Sequence, residues 1–215
     1  SCLMEAGYKV GTFTSPHLYE HEDRIRINNK HIPQNDFLRI CNQNKEKWEN
    51  YHLSMFEMDL DLASIWFVEE KTDIVILEAG LGGRLDSTNI VNPILSIITN
   101  IGLDHCDLLG ESLPEIAFEK AGIIKPKVPV VIGESDPQTD QVFERKVLYT
   151  NLSEPQFMGS RTAIMSLLTF ADKTEPPMWD RHEELLAAMD LRGAYQCKNL
   201  RTVLAALSVL NESSG

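Results

Sequence analysis

Three polar groups, Thr14-Ser15, Glu78 and Asp104-His105, have side chains with the chemistry to bind a divalent cation. Each stands at, or shortly after, the end of an apolar, strand-like run. In open α/β sheets ligands bind beyond the carboxyl ends of the strands, so a hydroxyl, a carboxylate and an imidazole would meet in one crevice. Taken alone, a Glu at a strand end is more often a capping or surface residue, and a lone His more often donates a structural hydrogen bond. Magnesium also prefers oxygen ligands to imidazole. It is their joint occurrence that favours a cation site.

Lys120 is the second residue of chemical interest. It lies four residues after Ile116 in a helical pattern, so the two side chains share one face. A lysine on an apolar face must extend its ammonium group to water, pair with an acid or lose its charge. The pattern alone favours an ion pair with a neighbouring acid.

The glycine-rich stretch Gly80–Leu85 (GLGGRL) suggests a dinucleotide-binding turn but does not meet the pattern for one. Leu85 stands where the GxGxxG motif requires its third glycine. No glycine in the chain is followed by lysine, so a Walker A loop is absent as well. Taken by itself, the sequence contains no recognisable phosphate-binding loop.

Strand-like and helical patterns alternate along the chain, and they predict a doubly wound α/β fold. The apolar runs are nearly continuous, which predicts burial on both faces and hence parallel strands. The predicted strands are Val10–Thr14, Asp73–Glu78, Ile94–Thr99 and Val128–Ile132, with a short one near Ala163–Leu168. The predicted helices are Phe37–Tyr51, Phe56–Glu70, one that begins after Ser112, and Gln196–Leu210, followed by an exit linker from Asn211.

Two local signals refine this pattern. Ser112, with Pro114 in the first turn and Glu115 three residues after the cap, satisfies the capping-box rule for a helix start. Most of the stretch 150–190 is predicted to be loop, because it contains Gly159 and the pair Pro176-Pro177.

Composition narrows the classes of partner and compartment. The 215 residues include 20 Lys+Arg and 32 Asp+Glu, a net charge of −12, which argues against nucleic acid or an anionic membrane as the main partner. No apolar run is long enough to span a bilayer. Four widely spaced cysteines without a CxxC motif are typical of free thiols in a reducing cytoplasm.

Several stretches, in order, resemble the folylpolyglutamate synthase family of the Mur ligase superfamily. The matching segments cover about three quarters of the chain, and TSPHL and GLGGRLDSTN favour the folate branch over the cell-wall ligases. The matching segments are GYKVGTFTSPHL from Gly7, RIRIN from Arg24, DIVILEAGLGGRLDSTN from Asp73, TNIGLDHCDLLG from Thr99, EKAGIIK from Glu119, and GAYQCKN from Gly193 to Asn199.

The resemblance implies a role for each matching residue. Ser15, Glu78 and His105 would be magnesium ligands beside the ATP phosphates, with Glu78, His105 and Lys120 in the catalytic centre. Lys120 would carry a carbamate that helps to hold a second cation, which reverses the expectation of an ion pair. Carbamylation needs a neutral amine, as a desolvated lysine supplies, and the product is an oxygen ligand.

The remaining roles concern the substrates. Asn199 would hydrogen-bond the adenine. The other residues would border the folate or shape the loop beside it: Thr14, Pro16, His17, Leu18, Arg24, Arg84 and Asp86, with Asn89 matching the motif as well.

The reaction that the resemblance implies is ATP-dependent amide formation. The carboxylate of folate or dihydropteroate attacks the γ-phosphate, and the amine of L-glutamate then displaces phosphate from the acyl phosphate. Such chemistry depends mainly on positioning and charge neutralisation. The expectation is a monomeric, cytoplasmic enzyme that binds ATP, Mg²⁺, folate and glutamate, on a P-loop NTPase-like Mur ligase central domain.

Two segments of the family pattern are not in the sequence. The GTNGKGS phosphate loop would lie just before Ser1, and the second domain would begin after Gly215. Residues 1–211 are therefore expected to be the ATPase domain without its phosphate loop, and 212–215 the start of a linker. Such a piece is expected not to turn over ATP.

Three alternatives stay open at this stage. The first is a Mur-type ligase that acts on a nucleotide-sugar peptide. The second is a non-catalytic domain that binds folate or a protein partner. The third is a metal-dependent hydrolase built on Glu78 and His105, which a single imidazole without further ligands supports poorly.

Overall fold

A computed structural model describes residues 1–154, 160–175, 179–189, 193 and 195–213. The chain divides into two compact units, Ser1–Ile90 and Val91–Gly215. In the first unit the helices are α1 (Cys2–Glu5), α2 (Gln34–Asn50) and α3 (Met55–Glu69), and the strands are β1 (Val10–Phe13), β2 (Ile25–Ile27), β3 (Lys30–His31) and β4 (Ile74–Leu77). Short 3-10 turns cover His21–Arg24 and Ser87–Ile90.

The first unit contains a four-stranded sheet with the order β3-β2-β1-β4. β1 and β4 are parallel, and Phe13 is in register with Leu77, so their carboxyl ends lie side by side. β2 and β3 form an antiparallel hairpin that the sequence analysis missed. Its turn contains Asn28 and Asn29, both with positive φ, which is the backbone that a two-residue hairpin turn requires.

Helices α2 and α3 supply the core that packs with this sheet. Phe13, Ile40 and Leu62 are among its fully buried members. α3 begins at a capping box, in which the Ser54 hydroxyl accepts the backbone N–H of Glu57 and the Glu57 carboxylate accepts the N–H of Ser54. The predicted helix bounds are correct to within three residues.

In the second unit the strands are β5 (Ser96–Ile98), β6 (Val130–Ile132) and β7 (Leu168–Phe170). The helices are α4 (Cys106–Leu109), α5 (Leu113–Lys120), α6 (Asp140–Asn151), α7 (Arg161–Met165), α8 (His182–Ala187) and α9 (Gln196–Ser213), with 3-10 turns at Ala121–Ile123, Ala171–Lys173 and Trp179–Arg181. The three strands form a parallel sheet with β6 in the centre. The predicted α5 cap is present, with Ser112 and Glu115 bonded reciprocally.

The α/β class and the mostly parallel strand pairing are confirmed by the β1–β4, β5–β6 and β6–β7 pairs. Burial on both faces is confirmed for β6, whose three residues are fully buried. Val130 and Ile132 belong to a core cluster with Phe143 of α6, and Val131 belongs to a second cluster with Ala205 of α9, so each face is covered. The same prediction is wrong for β4, the edge strand of its sheet, where Val75 and Ile76 keep 41% and 48% of their surface exposed.

Three further expectations need correction. The stretch 150–190, expected to be mostly loop, contains α7, β7 and α8 among its described residues. The strand expected near Ala163–Leu168 is the short helix α7 followed by β7, because the Ser160 side chain accepts the Ala163 N–H at 3.2 Å and so caps a helix. α9 continues to Ser213, beyond the predicted end at Leu210. The expected loop residues Gly159, Pro176 and Pro177, together with Ala194, Ser214 and Gly215, lie outside the described residues.

None of the helices in the described ranges is long and apolar enough to cross a membrane.

Candidate functional site

Ser15 and Glu78 lie together at the carboxyl ends of the parallel strands β1 and β4. The Ser15 backbone N–H donates to Glu78 Oε2 at 3.0 Å, and the Glu78 N–H donates to the carbonyl of Phe13 at 2.9 Å. Glu78 is exposed and Ser15 is half-buried, so both are open to a ligand. The first unit thus brings together two of the three predicted cation ligands.

This pair fits a magnesium ion by its donor chemistry. Magnesium is held in proteins through one or two carboxylates, with water and substrate phosphates completing an octahedron of oxygens. Glu78 offers a carboxylate and Ser15 a hydroxyl. No cluster of three or more His, Cys, Asp or Glu side chains with metal-site geometry occurs among the described residues.

The segment after β1 is held in place by Asp23, which the sequence analysis missed. Asp23 Oδ2 accepts the backbone N–H groups of Leu18, Tyr19 and Glu20 at 3.2, 2.8 and 3.2 Å. These hydrogen bonds lower the pKa of the Asp23 carboxyl, and the bond from Tyr19 has the largest effect. The charge of His31 acts in the same direction. The segment is therefore fixed by a buried, ionised carboxylate.

Thr14, Pro16, His17 and Leu18 form the front of that segment. Thr14 is half-buried and donates its backbone N–H to the carbonyl of Arg24 at 2.9 Å. Pro16, His17 and Leu18 are exposed, and 76% of the Leu18 surface is open to solvent. An apolar side chain presented in this way is available to a ligand.

Arg24 is buried rather than presented to solvent. Only 8% of its surface is exposed, and its Nε lies 3.8 Å from Oδ2 of Asp59 on α3. The other Asp59 oxygen lies 2.7 Å from His21 Nε2. Asp59 and His21 were missed as well. A signal existed for Asp59, since it follows Phe56 by three residues and therefore lies on the apolar face of α3.

Asp86 shapes the glycine-rich loop after β4. Its Oδ2 accepts the backbone N–H of Leu81 at 2.9 Å, and its Oδ1 accepts both the N–H and the hydroxyl of Thr88 at 2.9 and 2.5 Å. Gly82 sits in this loop with a φ of +67°, a conformation that glycine adopts without strain. The carboxylate thus ties the two sides of the loop together.

A groove of about 550 Å³ lies between this loop and residues 57–64 of α3, within the first unit. Arg84 and Asp86 line it from the loop, and Glu57 and Ser64 line it from the helix. Hydrogen bonds from Ser54, and more weakly from Ser87, lower the pKa of the Glu57 carboxyl. The groove therefore offers cationic and anionic groups within one concave surface.

His105 lies in the second unit, seven residues after the end of β5. It has a left-handed backbone with a φ of +51° and precedes the short helix α4. Asp104 Oδ1 accepts the His105 backbone N–H at 2.8 Å, and 58% of the His105 side chain is exposed. The imidazole is accessible, as a ligand-binding group must be.

Lys120 is the last residue of α5 and is half-buried. Ile116, one turn earlier on the same face, is fully buried. Within the described part of the second unit no carboxylate lies at ion-pair distance from the Lys120 ammonium group. The expectation of a partner acid therefore finds no support there.

Asn199 is on the first turn of α9 and is exposed. Its side-chain amide donates to Gln196 Oε1 at 3.3 Å. The adjacent Lys198 pairs with Glu134 at 2.6 Å, and this hydrogen bond raises the pKa of Lys198. Ser15 and Glu78 thus belong to the first unit, and His105, Lys120 and Asn199 to the second.

Comparison with known families agrees with this fold. Residues 42–207 match the model of the Mur ligase middle domain. The chain belongs to the Mur ligase middle domain family.

The similar proteins are folate enzymes. The dihydrofolate synthase/folylpolyglutamate synthase of Bacillus subtilis is 35% identical over 226 residues, covering 100% of this chain and 51% of that protein. The structure of Thermotoga maritima folylpolyglutamate synthase has a TM-score of 0.76 and 27% identity, covering 96% of this chain and 49% of that one. Escherichia coli FolC, solved with DHPP and ADP, has a TM-score of 0.66 and 37% identity over 70% of this chain and 36% of its own. The chain thus spans about half the length of the first two relatives.

Proposed function

We propose that this chain provides the ATP-binding part of a ligase that joins L-glutamate to folate or dihydropteroate through an acyl phosphate. The observation that carries the proposal is the 3.0 Å hydrogen bond from the Ser15 backbone N–H to Glu78 Oε2, which holds the carboxylate beside the serine at the ends of two adjacent parallel strands. The named activities of the similar proteins support the choice of substrates.

Ser15 and Glu78 of the first unit would hold Mg²⁺, and in the second unit His105 and Lys120, the latter as its carbamate, are proposed as cation ligands. The bound cation supplies charge neutralisation for the phosphates during phosphoryl transfer. In the first unit the Ser15 N–H orients the Glu78 carboxylate, so that its position does not depend on the ligand. Asn199 would bind the adenine through its exposed amide.

The folate or dihydropteroate is proposed to lie against the segment Thr14–Leu18 and the groove that Arg84 and Asp86 line. Arg84 supplies positive charge for an anionic ligand. Asp86 keeps the loop in shape through its bonds to Leu81 and Thr88. The four cysteines are free thiols, which supports a cytoplasmic, reducing location.

Calorimetry with purified protein tests this function. MgADP and dihydropteroate should each bind, and Glu78→Gln should weaken MgADP binding by about tenfold or more, since it removes a charged oxygen ligand. Glu46→Gln, which removes an exposed carboxylate on α2, is the matched control and should bind as wild type.

Binding of a UDP-muramoyl peptide in place of dihydropteroate would instead identify a cell-wall type of ligase. Equal binding of MgADP to wild type and to Glu78→Gln would contradict the proposed cation site.

A further inference from the structure

Asp59 is a carboxylate buried on the apolar face of α3. Only 4% of its surface is exposed, and it lies among fully or nearly fully buried neighbours such as Leu62 and Ala63. Burial of an ionised carboxylate is costly unless it is paired. A hydrophobic residue at this position would pack without that cost, so the contacts of Asp59 require an explanation.

Both partners of Asp59 come from one short stretch of the chain, the 3-10 turn His21–Arg24. Its Oδ1 lies 2.7 Å from His21 Nε2. Its Oδ2 lies 3.8 Å from Arg24 Nε, within ion-pair distance but too far for a hydrogen bond, and neither of these two buried atoms has a hydrogen-bond partner among the described residues. The charge of Asp59 thus faces a buried cation and an imidazole that belong to the segment after β1.

The 3-10 turn also fixes the segment that precedes it, Thr14–Glu20. The Arg24 carbonyl accepts the Thr14 N–H at 2.9 Å. The His21 ring packs against the ring of His17, with centroids 5.8 Å apart, and edge-on against Phe37. Asp23, between the two partners of Asp59, accepts three backbone N–H groups of the same segment.

We infer that Asp59 is a positioning residue for the segment Thr14–Glu20. It acts from α3 through His21 and Arg24 and holds the segment in the form that presents Thr14–Leu18 to the substrate. This role rests on the proposed function for its effect on ligand binding, but the positioning itself is a property of the fold.

Hydrogen exchange of the backbone amides tests the positioning without any ligand. In Asp59→Asn the shape is kept but the charge opposite Arg24 is lost, so the amides of Thr14 and Leu18–Glu20 should exchange about tenfold faster or more. The amides of α2 and β4 should exchange as in wild type. The matched control is Glu69→Gln on the same helix, which breaks the exposed pair with Arg39 and should leave the segment unchanged.

A second variant covers the case in which Asp59→Asn does not fold. His21→Ala removes the other end of the 2.7 Å contact from a side chain that is 31% exposed, and the same amides should exchange faster. Unchanged exchange of these amides in the variants that fold, or acceleration spread evenly over the first unit, would overturn the inference.

Dihydropteroate binding supplies the second measurement. If wild type binds and the variants bind about tenfold more weakly at a temperature where they are folded, the segment contributes to the substrate site. Wild type that does not bind dihydropteroate would contradict the proposed function, while the exchange data would still decide the role of Asp59.

Discussion

The backbone N–H of Tyr19 donates to Asp23 Oδ2 at 2.8 Å, so a carboxylate fixes a segment in which 92% of the tyrosine surface is exposed. The order of this segment therefore comes from the charge on Asp23 and from its backbone bonds, and hardly from burial of its own side chains. Because the carboxylate must be ionised to accept these hydrogen bonds, the order of this exposed segment depends on pH.

Asp23→Asn should flatten the acid limb of the pH–stability curve. The folded-state pKa of Asp23 lies below the ordinary value of 3.8, so its stabilisation is fully present above that pH and is lost as the pH falls through the lower, folded-state pKa. Urea unfolding at several pH values should show a gap between wild type and variant that narrows below pH 3.8. A gap that stays constant, or the same flattening in Glu46→Gln, would contradict this.

Gly133→Ala should destabilise the second unit. A Cβ at this position would meet the carbonyl of Thr99 and the hydroxyl of Thr202, and the carbonyl belongs to the backbone directly after β5. Overpacking of this kind costs about 1–3 kcal/mol in the free energy of unfolding. The matched control is Gly102→Ala, because a Cβ there would meet no atom within 4 Å. Urea denaturation followed by circular dichroism measures the stability of both variants. Equal unfolding midpoints for Gly133→Ala and Gly102→Ala would contradict the expected overpacking at Gly133.

Lys120 should form a carbamate in bicarbonate buffer. The residue is half-buried at the end of α5 and no acid of the described second unit pairs with it, so its amine can react with carbon dioxide. ¹³C NMR with labelled bicarbonate should show a carbamate signal that disappears in Lys120→Ala. Lys45→Ala, at an exposed position of α2, should keep the signal. A spectrum without it in wild type, with Mg²⁺ and ADP present, would remove the carbamate from the proposed site.

Local patterns were sufficient to predict most of the regular structure. The apolar runs located β1, β4, β5 and β6, and the Ser112 signature located the start of α5. The contact between Ser15 and Glu78 was predictable too, because adjacent parallel strands end at the same edge. These features depend on short stretches of sequence or on one general rule of sheet topology.

Features that depend on distant contacts were missed. His21 and Asp59 are 38 positions apart, and nothing local to either shows that they meet. The hairpin β2–β3 carried a turn signal at Asn28-Asn29, but its strands are too short to show a clear pattern. The exposure of Val75 on β4 was missed because an apolar run does not show which elements pack on each face of the sheet.

Asp86→Ala should loosen the glycine-rich loop and weaken dihydropteroate binding. The carboxylate joins Leu81 to Thr88, so its removal releases both sides of the loop that lines the groove. We expect binding to weaken about tenfold, equivalent to about 1.4 kcal/mol, by calorimetry. Asp73→Ala is the matched control, since Asp73 also accepts a backbone N–H, that of Lys9 at 2.7 Å, but at the amino end of β4. If both variants weaken binding equally, general loss of stability explains the effect; if neither does, the loop does not contact the substrate.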